Sequence, residues 1–89
     1  MSENISGEQM RAARALLRWT ALDLAKASKV GVATIRRVEV IDGEIPATKA
    51  NQAALRRALE AAGVEFIDEN GGGAGVRLRK RSEAKAKKA

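Results

Sequence analysis

Arg79, Lys80, Arg81, Lys85, Lys87 and Lys88 crowd the last eleven residues, "RKRSEAKAKKA", against the single acid Glu83. Cations at that density bind phosphates through a sequence-independent attraction that salt weakens. A second gathering of polar groups lies in residues 20 to 39, "TALDLAKASKVGVATIRRVE", where Arg36 and Arg37 are adjacent. Covalent and acid–base chemistry is far less accessible. The chain has no cysteine, histidine or tyrosine, so the thiol nucleophile, the commonest general base and the commonest metal ligand are missing. The glycine run in "DENGGGAG" lacks the GxxxxGK[ST] spacing of a phosphate loop. These absences predict a chain that is not an enzyme, carries no metal or cofactor, and works by binding.

The net charge of +6 over 89 residues is unevenly placed. Residues 1 to 78 hold eleven basic and ten acidic side chains and are nearly neutral, so the basicity belongs to the C-terminal tail. Trp19 and Phe66 are the only aromatics, so a core must come from Leu, Ile, Val and Ala. This size suits one small domain with tails, of modest stability without an oligomeric partner. The apolar runs fall well short of the roughly 20 residues that cross a bilayer. The polar start, Met1 to Glu8, is unlike a secretory signal. No membrane partner is expected, and the expected location is the cytoplasm.

Periodicity places the elements. Residues 7 to 18, "GEQMRAARALLR", are strong helix formers with Met10, Ala13 and Leu17 on one face and Leu16 beside them. Thr20 is a good N-cap for a short second helix ending near Ser28, with Asp23 in its first turn. Gly31 can cap a third helix, whose Ile35 and Val38 form an apolar pair. "VIDGEIP" is a loop, and Thr48 caps a fourth helix with a stripe of Ala54, Leu55, Ala58, Leu59 and Ala62, stopped at Gly63. The period then becomes two, predicting a β-hairpin over about 64 to 68 and 75 to 79.

Two short helices joined by a tight turn must cross steeply if Leu24, Ala25, Val30, Ile35 and Val38 are to meet. That is a helix-turn-helix, which presents its second helix to the DNA major groove. Here "LAKASKVGVATIRRVE", preceded by "RAARALLRWT", resembles the Cro/C1 (XRE) family of short bacterial and phage repressors. The resemblance covers about residues 8 to 62 and is carried by Arg14, Leu24, Ala25, Val30, Thr34, Ile35 and Glu39.

The resemblance implies a mainly α fold, a repressor-like domain of four to five helices, followed by the hairpin and a disordered basic tail. It implies that Arg14 and Glu39 form a structural ion pair between the first and third helices, and that Thr20 grips a phosphate. By position, Val32, Ala33 and Arg37 read bases: the first two through thymine methyls, Arg37 through guanine. Thr34, Arg36 and Lys29 are assigned to phosphates. Lys29 departs from the glycine usual in the turn, where a left-handed backbone strains a lysine by about 1 kcal/mol. Trp19 is expected to pack between the first two helices.

The organisation expected is a flexible N-terminus (1–6), a DNA-binding domain (7–63), a hairpin (64–79) and a disordered basic tail (80–89). The hairpin is the candidate dimerisation element, burying Phe66, Ile67, Val76 and Leu78 between two chains, or else folding back on its own helices. The function implied is sequence-specific binding of double-stranded DNA by a homodimer, regulating transcription as a Cro-like repressor, with no small-molecule ligand. The rival is a protein-interaction module, such as an antiactivator or antitoxin component, that has the shape without operator readout. A sequence-indifferent DNA binder dependent on the tail is the third reading.

Overall fold

A computed structural model describes residues 4–80; the tail from residue 81 on lies outside the described residues. Four helices precede a two-stranded hairpin: α1 (Gly7–Leu17), α2 (Ala21–Ser28), α3 (Val32–Glu39), α4 (Lys49–Ala61), β1 (Val64–Ile67) and β2 (Gly75–Leu78). The fold is mainly α. No fifth helix occurs among the described residues, and none of the four is long and apolar enough to cross a membrane.

Three of the four helices start where a side-chain oxygen accepts from a first-turn N–H. Ser6 Oγ accepts from Gln9 N while Gln9 Oε1 accepts from Ser6 N, a reciprocal capping box; Thr20 and Asp23 repeat it on α2. Thr48 Oγ1 accepts from Asn51 N at the start of α4. Gly31 caps α3 with backbone alone. The ends of α1 and α2 are left-handed and neither uses glycine: Arg18 has φ 58° and Lys29 φ 66°. Gly63, at φ 115°, turns the chain out of α4 and lets Val64 bury itself completely.

The core is aliphatic. Met10 and Ala13 of α1, Leu24 of α2, Ile35 and Val38 of α3, Leu55 and Leu59 of α4, and Val64 of β1 are fully buried together. Leu17 and Trp19 pack against them half-buried, whereas Leu16 faces outward. Ile5 is also core, 2% exposed, and Ser6 pairs with Glu44 in an isolated bridge. The flexible N-terminus expected over 1–6 is therefore too long: Ile5 and Ser6 belong to the domain.

The hairpin lies on its own helices. β1 and β2 pair antiparallel, with Val64 opposite Leu78, Phe66 opposite Val76 and Ile67 opposite Gly75. Side chains alternate across a strand, so Val64, Phe66, Val76 and Leu78 share one face, and Phe66 and Val76 pack on the core. Ile67 points the other way, beside the Glu65–Arg77 ion pair at 2.6 Å. Gln9 Nε2 donates to both Gly75 O and Ile67 O, tying α1 to the two strands. Arg56, 6% exposed, bonds Glu60 and Asn4 O and covers the Phe66 ring at 4.9 Å.

Candidate nucleic-acid interface

At 3.6 residues per turn, Ala33, Arg36, Arg37 and Val40 fall within an arc of roughly 100° on the α3 surface. All four are exposed, while Ile35, Val38 and Glu39 on the opposite side are buried. Val40, the C-cap residue, has φ −83° and ψ −6°, so it continues the helical phase. Val32 and Thr34 flank this arc and are half-buried, Val32 packing against the core. Of the three expected base readers, Ala33 and Arg37 thus face outward, and Val32 is mainly a packing residue. Arg36, expected on phosphates, shares the outward arc with Arg37. Val40 was not foreseen: where "RRVEVIDG" stops being helical is not legible locally, so its phase could not be assigned.

The inner side of α3 is held by charge. Arg14 Nε donates to Glu39 Oε2 at 2.8 Å and Arg14 Nη2 to Glu39 Oε1 at 2.9 Å, a bidentate pair. Arg14 Nη1 also donates to Trp19 O at 2.7 Å, so one guanidinium joins α1, the α1–α2 link and α3. Arg11 adds a bond to Glu39 O and an ion pair with Asp42 at 2.9 Å. The structural ion pair expected at these two residues is present, and Arg11 extends it.

Thr20 and Lys29 stand at the two ends of α2, both exposed. Thr20 Oγ1 accepts from Asp23 N, and Thr20 N donates to Asp23 Oδ2 at 2.9 Å. Only the hydroxyl proton of Thr20 is therefore left to donate to a phosphate, since its N–H is committed to a carboxylate. That same N–H holds the Asp23 carboxyl below its usual range. Lys29 adopts the left-handed conformation and makes the capping bond from its N–H to Ala25 O at 2.9 Å. Between the helices, Ser28 Oγ accepts from Val30 N at 3.1 Å, fixing the turn.

Cations divide by partner. Arg11, Arg14, Arg56 and Arg77 are in ion pairs. Arg18, Lys26, Lys29, Arg36, Arg37, Lys49, Arg79 and Lys80 make none among the described residues. Five of these eight lie from the end of α1 through α3, Lys49 begins α4, and Arg79 and Lys80 follow β2. Acids gather elsewhere. An open cleft of about 480 Å³, lined by Ser6, Gln9, Glu44, Asp68 and Glu69 among others, lies between the start of α1, the α3–α4 loop and the hairpin turn. Sequence reading missed this cleft because its walls come from three distant segments. No group of three His, Cys, Asp or Glu residues among the described residues is placed to hold a metal.

Of the hairpin residues expected to meet a second chain, Phe66 and Val76 are packed on the protein's own core. Leu78 is 51% exposed at the rim of that face, and Ile67 is half-buried on the other. The four do not form one surface. Compared with known proteins, the chain matches no protein-family model and no curated protein.

Proposed function

We propose that this chain is a sequence-specific double-stranded DNA-binding transcription regulator, a Cro-like repressor working as a homodimer on a palindromic operator. The observation that carries the reading is the exposed arc of α3, bounded by Arg36 and Arg37, with most of the cations that lack ion pairs on the elements around it. In this reading α2 and α3 are a helix-turn-helix and α3 enters the major groove. Arg37 donates two hydrogen bonds to a guanine edge, Ala33 meets a thymine methyl, and Lys29 and the Thr20 hydroxyl contact phosphates. The Arg14–Glu39 pair fixes the angle at which α3 is offered. Two copies would present their α3 helices to major grooves about 34 Å apart, one turn of the duplex.

Selection from randomised duplexes, with wild type and Arg37→Ala, tests this. The expected result is an enriched palindrome that loses one guanine preference in the variant; no enrichment at low salt by a folded protein would overturn it. A specific observation favours the protein-interaction rival: only two of the four outward α3 residues can hydrogen-bond a base. That rival predicts that Arg37→Ala weakens binding to a protein partner and leaves no duplex preference to lose. A sequence-indifferent binder would lose its DNA affinity on removal of residues 80–89. The operator binder would keep its preference and lose only part of its salt dependence.

A further inference from the structure

We infer that the outward face of α3 reads the C5-methyl group of pyrimidines through Val40 as well as Ala33, so that methylation of cytosine at those positions strengthens binding. This deepens, and rests on, the DNA-binding reading. Val40 is 72% exposed, the most open of the large apolar side chains among the described residues, and the core is complete without it. Its backbone keeps the α3 phase, so it lies seven residues beyond Ala33 on nearly the same line along the helix, one turn past Arg36. The outward face therefore runs apolar, doubly cationic, apolar.

An aliphatic side chain has nothing to offer the donors and acceptors of a base edge. The apolar group the major groove displays is the methyl on C5 of thymine. 5-Methylcytosine carries the same methyl on the same carbon, and a contact made only to that methyl is blind to the rest of the base. Ala33 and Val40 are about 10 Å apart along the helix axis, a length over which a helix lying in the groove passes about two or three base pairs. Between them Arg36 and Arg37 supply paired N–H donors of the kind that recognise guanine. The face thus fits two methyl-bearing pyrimidines about two or three base pairs apart with guanine between them.

The test uses the full chain and a duplex enriched from a random pool. At each position of one half-site, thymine is compared with uracil and 5-methylcytosine with cytosine, two pairs that differ by the methyl alone. Two positions about two or three base pairs apart should each show a loss of about fourfold when the methyl is removed, in both pairs, the worth of one buried methyl. Val40→Ser should abolish the loss at one of these positions. It should leave the other position, the thermal melt and the guanine preference set by Arg37 unchanged. Equal binding of uracil and thymine throughout, or an unchanged methyl pattern in Val40→Ser, overturns the inference while operator binding stands. A wild-type protein that enriches no duplex overturns the DNA-binding reading and this inference with it.

Discussion

Glu39 is 7% exposed, and its carboxylate is matched by both nitrogens of the Arg14 fork. Removing one partner leaves the other charged, poorly solvated and unmatched. Glu39→Ala should therefore cost about 3 kcal/mol in urea denaturation, whereas Arg14→Met with Glu39→Leu should recover most of that loss. Lys29 shows the opposite economy. Its left-handed backbone strains a side chain that the core does not need, so Lys29→Gly should gain about 0.5 kcal/mol in the same measurement, after glycine's extra freedom in the unfolded chain is subtracted. If Lys29 touches a phosphate, the same variant should lower the salt slope of DNA binding by about one. Both residues were legible in the sequence through the family resemblance, down to the strain at Lys29. Val40 and Arg11 were not. The first depends on where a helix ends, and the second spends one of its bonds on a backbone carbonyl that no side-chain pattern reveals.

The four helices and the hairpin were legible because their signals are local: Thr20, Gly31 and Thr48 at three of the starts, apolar spacing of three and four, then alternation after Gly63; the Ser6 cap of α1 was not read. Long-range contacts left no such mark. Gly7 opens α1 against the α3–α4 loop so closely that a Cβ there would lie 1.8 Å from Ile41 O. The neighbouring Gly7 N donates to Gly43 O, and Glu8 Oε1 accepts from Gly43 N. Gly7→Ala should therefore destabilise the domain by about 2 kcal/mol, read by urea denaturation, although alanine is the better helix former. The Gly43 N–H holds the Glu8 carboxyl below its usual range, as the Thr20 N–H does for Asp23. A lowered carboxylate stabilises the fold above its unfolded pKa, and the gain disappears as pH falls through the folded value. Thermal melts of Asp23→Ala should thus fall below wild type at pH 7. The gap should close progressively below about pH 4.

Among the described residues, most cations without ion pairs lie on α2, α3 and their borders, with Lys49 on α4 and Arg79 and Lys80 past β2, while Glu44, Asp68 and Glu69 line a cleft among other elements. Such a division orients a molecule approaching a polyanion and makes its association rate fall with salt. The near-neutral count for residues 1–78 concealed this, because opposite charges cancel in a sum and do not cancel in space. If two copies associate through the hairpin, the apolar part of that contact must be its open rim. Leu78→Glu should then turn a dimer into a folded monomer, seen by sedimentation equilibrium with an unchanged circular dichroism spectrum. Gln9 caps α1 with its amide oxygen while its nitrogen holds carbonyls of both strands. Peeling the hairpin away frees the side chain that caps the helix beneath it, so this rim of the domain is expected to open together rather than as an independent ribbon.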